Sequence, residues 1–369
     1  MVINSTLIMR IAQVSPLTES VPPSGYGGIE RIVSYLTEGL VNKGHDVTLF
    51  ASGDSETKAT LEAIYPRALR LDKNILDHQE DQLHWQMFER VIALSEQFDI
   101  VHFHTGISHF PICRRLTSPR HLTTHHGPLD SPALLPLFFD FNELLFISIS
   151  NSQRRPMPWA NWFATVYNGI PNDLFTFYPE RGKHLAFLGR ISPEKRVDRA
   201  IAIAKQAGMN IKIAAKIDKV DVEYFNNEIK PLFKDPLVEY VGEINDHEKN
   251  DFLGNAYALL FPIDWPEPFG LVMIEAMACG TPVVAYRMGA VPEIIRSGTT
   301  GYIVDNLKGA VNAIRQLETF DRKLCRKEFE KRFTARHMVE NYLEVYNRIL
   351  QAQLSIRNIV KEEAVVKSV

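Results

Sequence analysis

Cysteine is scarce in this chain. There are three, Cys113, Cys279 and Cys325, and none forms a C-x-x-C pair. That spacing argues against a disulfide framework and a structural zinc site, and it suits a reducing compartment. Basic excess is missing too: 41 Lys and Arg face 44 Asp and Glu, a formal net charge of −3. A general nucleic-acid binder carries a strong basic surplus, so nucleic acid is not expected as a partner. Any bound anion must be gripped by a few placed residues. No basic residue precedes Arg10, so the N-terminus does not resemble a secretory signal. The longest uncharged run, Pro156 to Asn172, is broken by three prolines and three asparagines and is too interrupted to span a bilayer. The expectation is a cytoplasmic protein. Arg154, Arg155, Trp159 and Trp162 leave peripheral membrane contact open, although their broken context fits a buried helix flank better. Short repeats and low-complexity tracts are absent.

What is present is ordinary globular material. The 369 residues are 45% hydrophobic and 23% charged, enough for two domains with buried cores. Leu7 to Ser15 is an apolar run of buried-strand type, followed by a Pro/Gly-rich loop from Pro16 to Gly28. Ile29, Ile32, Val33, Leu36 and Leu40 then recur at helical spacing, with Gly44 as the stop. Asp46 to Ala51 is the next strand, which makes a βαβ unit and implies parallel strands. Further strands are expected at Ile100–His104, Leu122–Thr124 and Leu145–Ser150. A second series starts near His184. It has strands at Leu185–Leu188, Ile211–Ala215, Val238–Val241, Ala258–Pro262 and Pro282–Ala285, and a helix at Val197–Gln206 stopped by Gly208. The fold class is therefore α/β, with two doubly wound, Rossmann-like domains. The boundary is expected at Pro171 to Arg181, giving an N-terminal domain over 1–175 and a C-terminal one over 176–337. Residues 356–369 lack a clear period and are expected to fray. Two such domains facing each other create a cleft. Ligands bind at the carboxyl ends of strands in such sheets, so every motif below is expected there.

The most informative segment runs from Glu267 to Glu275, Glu-Pro-Phe-Gly-Leu-Val-Met-Ile-Glu. Pro266 and Pro268 keep Glu267 in a loop, and Gly270 lets the backbone turn sharply. A helix is expected from Leu271, and its first backbone N–H groups make an anion site. Glu275 lies one turn inside, on the same side as that anion. A carboxylate repels phosphate, so Glu275 suits hydroxyls such as those of a ribose beside a diphosphate. Glu267 then suits hydroxyls beyond the diphosphate. The plainer alternative is that Glu275 only complements the helix N-terminus.

Three other segments carry chemistry. In Phe187-Leu-Gly-Arg190-Ile-Ser-Pro-Glu-Lys195 a strand ends at glycine and two cations follow. Both can converge on one anion and stabilise a leaving diphosphate without a metal; otherwise they are solvated surface charges. Gly25-Tyr-Gly27-Gly28-Ile-Glu30 lets backbone approach a ligand at a helix N-terminus. It departs from G-x-G-x-x-G and has no clear acidic partner at the end of the second strand, which disfavours a dinucleotide enzyme. In Thr124-His125-His126-Gly127, adjacent histidines point to opposite faces, so they do not share a metal ion and one is structural. His102 and His104 share a face if strand-like, yet no third ligand accompanies them, and they read as ordinary strand-end residues.

The Glu267–Glu275 segment resembles the E-x7-E motif of the GT4 family of retaining glycosyltransferases, which have the GT-B architecture of two facing Rossmann-like domains. The resemblance covers about residues 8 to 350. It implies that Glu275 binds the donor ribose and Glu267 sugar hydroxyls. It gives the backbone amides of Phe269 and Gly270 to the sugar, and those of Leu271 and Val272 to the diphosphate. Arg190 and Lys195 match the cations that grip the donor phosphates. The Gly27–Gly28 loop approaches the donor phosphate and acceptor, and His126 lies against the transferred sugar. Val241-Gly242-Glu243 resembles the loop that reads the nucleobase through backbone. Ile213-Ala214-Ala215-Lys216 departs from the pattern, since a glycine is common there. A helix at about 338–355 resembles the family's crossover back to the N-terminal domain. The implied activity is metal-independent, retaining transfer of a hexose, with UDP-glucose favoured over GDP-mannose, to an acceptor hydroxyl on a lipid, a sugar or a small metabolite. No cofactor is expected. Residues 220–225 and Phe261–Trp265 are similar to a subgroup of UDP-glucose:tetrahydrobiopterin glucosyltransferases. Two rivals stay open: a nucleotide-sugar epimerase on the same fold, and a non-catalytic sugar-nucleotide binding protein.

Overall fold

Strands too apolar to tolerate water on either face need helices on both sides. The chain meets that demand twice. The computed structural model describes residues 8–116 and 120–366. Two compact units emerge. One joins Met1–Ile149, Met157–Val166 and Ala335–Val369; the other joins Ser150–Pro156 and Tyr167–Thr334.

The N-terminal unit runs β1 (Arg10–Val14), α1 (Gly28–Asn42), β2 (Asp46–Ala51), β3 (Thr60–Ala63), α2 (Asp77–Leu94), β4 (Ile100–Phe103), α3 (Phe110–Cys113), β5 (Arg120–Thr124), α4 (Leu134–Asp140), β6 (Phe146–Ser148) and β7 (Trp162–Thr165). The C-terminal unit runs β8 (His184–Arg190), α5 (Val197–Ala207), β9 (Ile211–Lys216), α6 (Val222–Tyr224), β10 (Val238–Gly242), α7 (Asp246–Gly254), β11 (Ala256–Phe261), α8 (Leu271–Ala278), β12 (Val283–Tyr286), α9 (Val291–Ile294), β13 (Gly301–Val304), α10 (Leu307–Gln316) and α11 (Arg322–Arg332). α12 (Ala335–Val366) then belongs to the N-terminal unit again.

The N-terminal sheet has the order β3-β2-β1-β4-β5-β6-β7 and the C-terminal sheet β10-β9-β8-β11-β12-β13. Every strand pairing is parallel. Both sheets start at an inner strand, step outward twice, and then cross to the other side. That is the Rossmann order, with switch points between β1 and β4 and between β8 and β11. Connections on the two sides of a switch point leave on opposite faces and open a crevice at the strands' carboxyl ends.

Local signals act as expected at the helix ends. Gly44, at φ 86°, closes α1 through its own N–H to Val41 and that of His45 to Leu40. Gly208, at φ 66°, closes α5. α12 packs against α1 at Gly39, where an added Cβ would lie 2.4 Å from Val339 Cγ2.

Several elements depart from expectation. β3, β7 and β13 have only four residues each and lack a decisive period. β7 lies inside the uncharged run, so Trp162 belongs to a strand and not to a helix flank. Its indole N–H donates to the Met157 carbonyl at 2.8 Å, while Trp159 stays exposed against Phe139. After a first excursion at Ser150–Pro156, the chain crosses into the C-terminal unit at Tyr167, ahead of Pro171–Arg181. That stretch is tied down there by Thr176 N–H to Asn250 Oδ1 at 2.7 Å and Tyr178 N–H to the Cys279 carbonyl at 3.0 Å. Helix α12 continues to Val366 through the segment expected to fray. Leu7, placed in the first strand from sequence, lies outside the described residues. Among the described residues no helix is long and apolar enough to cross a membrane.

Candidate active site

In the C-terminal unit the chemistry gathers at the β8/β11 switch point. β8 ends at Arg190, and a tight turn at Pro193–Lys195 follows. β11 ends at Phe261, and the loop runs to Gly270, whose φ of 82° turns the chain into α8. That left-handed φ is what favours glycine at the turn. Lys195 Nζ meets Glu267 Oε2 at 2.5 Å and lies 4.5 Å from the centre of the Trp265 ring. The loops are stitched beside this pair. Asp264 N–H donates to the Glu194 carbonyl at 2.8 Å, and Arg196 and Arg199 both reach Asp264 Oδ2, at 2.8 and 2.7 Å. Gly289 presses on the same loop: a Cβ there would sit 2.3 Å from the Glu267 backbone nitrogen.

Arg190 has different company. Its guanidinium meets Glu194 at 2.6 Å, Asp218 at 3.4 Å and Asp221 at 3.6 Å. Burial pushes the Asp221 carboxyl up, and the negative charges of Glu194 and Asp218 add to this against the pull of Arg190. Burial also opposes charge on Glu194. Hydrogen bonds from Ser192, from its own backbone N–H and from Arg190 outweigh it and hold that carboxyl below its ordinary value. Sequence spacing puts Arg190 and Lys195 on one anion; the structure gives each its own acids. The reason is topological. β9 lies beside β8 and brings Asp218 and Asp221 to Arg190, while β11 brings Glu267 to Lys195.

Glu275 is buried on α8, and Lys249 of α7 approaches its Oε1 at 3.6 Å. Lys249 is a cation the sequence reasoning did not pick out. The Phe269 ring is 2% exposed and packs on Tyr167 and Phe333, which leaves only its backbone for a ligand. Leu271 and Val272 form the first turn of α8, half-buried. Gly242 ends β10 at φ 91°, where the register with β9 shifts.

The N-terminal unit repeats the logic at β1/β4. Gly27 precedes α1 and Gly28 opens it; a Cβ on Gly27 would meet Pro23 Cβ at 2.7 Å. Glu30 is buried in that first turn, and burial pushes its carboxyl up. After β5, His125 turns into a cluster of Phe110, Phe138 and Phe146. His126 turns the other way, to His104 at 2.9 Å. Opposite faces for the two histidines match the sequence argument. His102 and His104 stand at the end of β4 and share a face, as read from sequence, and the structure adds their partners. Both are buried, their rings lie 4.0 Å apart, and both are engaged through each ring nitrogen. Among the described residues no group of three or more His, Cys, Asp or Glu is arranged to hold a metal ion.

Comparison with known proteins decides what this arrangement belongs to. The model of Glycosyl transferases group 1 matches residues 176–334, and that of Glycosyltransferase Family 4 matches residues 26–171. The N-acetyl-alpha-D-glucosaminyl L-malate synthase of Bacillus anthracis is 26% identical, over 88% of this chain and 95% of its own. The chain belongs to the family 4 glycosyltransferases. Solved structures share the fold of this glycosyltransferase. AviGT4, a glycosyltransferase involved in avilamycin A biosynthesis, aligns with a TM-score of 0.71 at 24% identity, covering 93% of this chain and 98% of its own. HepE of Anabaena, solved with UDP and glucose, aligns with a TM-score of 0.71 at 17% identity, covering 92% and 99%.

In this family 4 glycosyltransferase the structure brings together Lys195, Glu267 and the start of α8 in one unit; in the other, Gly27 and Gly28 stand at the start of α1 and His126 follows β5. The residues missed from sequence are Asp218, Asp221, Lys249 and His104. Each acquires its role from a neighbour distant in sequence.

Proposed function

We propose that this glycosyltransferase is a retaining, metal-independent hexosyltransferase that moves glucose from UDP-glucose to an acceptor hydroxyl. The observation that carries the proposal is the 2.5 Å Lys195–Glu267 pair at the switch point, set just ahead of the Gly270 turn into α8. A nucleoside diphosphate sugar needs a cation for its phosphates, a carboxylate for its sugar hydroxyls and a helix N-terminus for its remaining negative charge. These three chemistries lie here within one loop and its partner.

In this proposal Glu275 takes the ribose hydroxyls and Glu267 those of the sugar. The amides of Phe269 and Gly270 meet the sugar, those of Leu271 and Val272 the diphosphate, and the backbone at Gly242 the nucleobase. The bond from the sugar's anomeric carbon to the phosphate oxygen breaks, and the acceptor oxygen bonds to that carbon on the same face. The acceptor's proton passes to a donor phosphate oxygen. Arg190 and Lys195 stabilise the charge that grows on the leaving diphosphate, which gives a metal ion no required part. The resemblance to family 4 assigns Gly27, Gly28 and His126 to the donor phosphate, the acceptor and the transferred sugar, and those roles form part of the proposal. The complex of HepE with UDP and glucose supports the choice of donor.

Calorimetric titration with UDP-glucose, GDP-mannose and NAD, each with EDTA present, tests this directly. UDP-glucose is expected to bind with EDTA present and to outbind the other two. Binding of NAD alone, or loss of all sugar-nucleotide binding on chelation, would overturn it.

A further inference from the structure

A buried chain of hydrogen bonds leads inward from His126. Its Nε2 lies 2.9 Å from Nδ1 of His104, and Nε2 of His104 lies 2.9 Å from Gln13 Oε1. Gln13 in turn donates from its amide nitrogen to the Tyr346 hydroxyl at 3.0 Å. That hydroxyl meets His102 Nδ1 at 2.8 Å, and His102 Nε2 meets Thr124 Oγ1 at 2.7 Å. Thr124 ends the chain on the Tyr342 hydroxyl at 2.9 Å. Strands β1, β4 and β5 and helix α12 each contribute; His126 is half-buried and every other member is fully buried.

The Gln13 amide sets the direction of this chain: its nitrogen faces the Tyr346 hydroxyl and its oxygen faces Nε2 of His104. An amide oxygen only accepts, so with the amide in this orientation His104 carries its proton on Nε2. A neutral imidazole has one N–H, so Nδ1 of His104 is an acceptor. His126 must then donate from Nε2, and its Nδ1 keeps a lone pair. Both rings stay neutral near pH 7. Burial pushes His104 well below the ordinary histidine value, and the nearby rings of His102, His126 and His109 push the same way. Burial alone brings His126 down to about 4.

We infer that His104 is a positioning residue that holds His126 in the Nε2–H tautomer, so that His126 offers the transferred sugar a hydrogen-bond acceptor at Nδ1. This rests on the proposed role of His126 and adds the polarity of its contact: the sugar must bring a hydroxyl proton to that point. A hexose lacking that hydroxyl leaves a lone pair without a partner, which is how a polar site rejects an analogue.

Long-range ¹H–¹⁵N correlation spectra of histidine-labelled protein read the tautomer in the free enzyme, with His126→Gln identifying the signal. The wild type is expected to show Nε2–H alone. His104→Leu should release His126 into a mixture of tautomers, and His104→Asn, whose side-chain oxygen replaces the Nδ1 acceptor, should restore the single form. Turnover should fall about tenfold in His104→Leu, the worth of one hydrogen bond, and recover in His104→Asn. If His104→Leu does not fold, Gln13→Met removes the acceptor of His104 Nε2 and predicts the same release. A wild-type proton on Nδ1 of His126, or an unchanged tautomer in the folded His104→Leu or Gln13→Met protein, would overturn the inference. Failure of the hexosyltransferase proposal is separate, because it appears as absence of transfer by the wild type, while the tautomer is read without substrate.

Discussion

Lys195 and Arg190 differ in what each gives up to meet a phosphate. Lys195 leaves one carboxylate and keeps the face of Trp265. Arg190 is held by three acids, and its removal leaves the partly desolvated Asp221 beside Glu194 and Asp218. Contacts that strengthen as charge grows on the leaving group raise turnover more than donor affinity. Lys195→Ala and Arg190→Ala are therefore each expected to cut turnover by about 10²–10³ while donor affinity falls less, and Arg190→Ala should also lower the melting temperature. Steady-state kinetics beside calorimetry checks this, and near-normal turnover in both variants would make them surface charges. At this scale the Glu267–Glu275 segment was legible because its chemistry is local: prolines, a left-handed glycine and a helix start stand in one run. The counter-charges were not. Lys249 meets Glu275 across 26 residues of sequence, and Asp218 and Asp221 reach Arg190 only because β9 pairs with β8.

Buried central strands announce themselves by apolar runs, and β1, β2, β4, β8, β9, β11 and β12 were all legible in that way. The short outer strands β3, β7 and β13 were not, because four residues with mixed exposure hold no period. Helix α11 shows what else pattern cannot give. Arg322 is buried, and among the described residues none of its hydrogen-bond partners is a carboxylate. It donates to the carbonyls of Tyr178, Gly254 and Ala256, each at 2.8 Å, and to Thr281 Oγ1 at 2.6 Å. The guanidinium thus anchors α11 to the ends of α7 and α8. A buried acceptor left unpaired costs about 1–3 kcal/mol. Arg322→Ala, which orphans several, is expected to destabilise the protein by at least about 3 kcal/mol in urea unfolding. A change below about 1 kcal/mol would show that water reaches these carbonyls.

At the scale of the whole molecule, alternation of strands and helices was enough to expect two doubly wound units. Strand order was not readable, since nothing local says that β1 pairs with β4; the return of α12 to the first unit was expected only through the resemblance to family 4. That return places Tyr342 and Tyr346 against His102, one of several histidines that the N-terminal unit shields from water. His102, His104 and His109 are held well below the ordinary value by burial, His125 to about 3 and His126 to about 4. In the unfolded chain they titrate near about 6.5. Below that pH the unfolded chain binds more protons than the folded one, so stability is full above it and falls as the pH drops towards 4. Thermal melts from pH 7.5 to 5 should show a steep loss beginning near pH 6.5, and a flat profile would mean that these rings are protonated in place. The most direct test of the central claim, that the C-terminal unit holds a nucleotide sugar through Glu275, is calorimetric titration of UDP-glucose into wild type and Glu275→Gln. The account predicts that the dissociation constant rises at least about tenfold, the worth of hydrogen bonds to a charged group, with the free enzyme still folded. Equal affinity in the two proteins would contradict it.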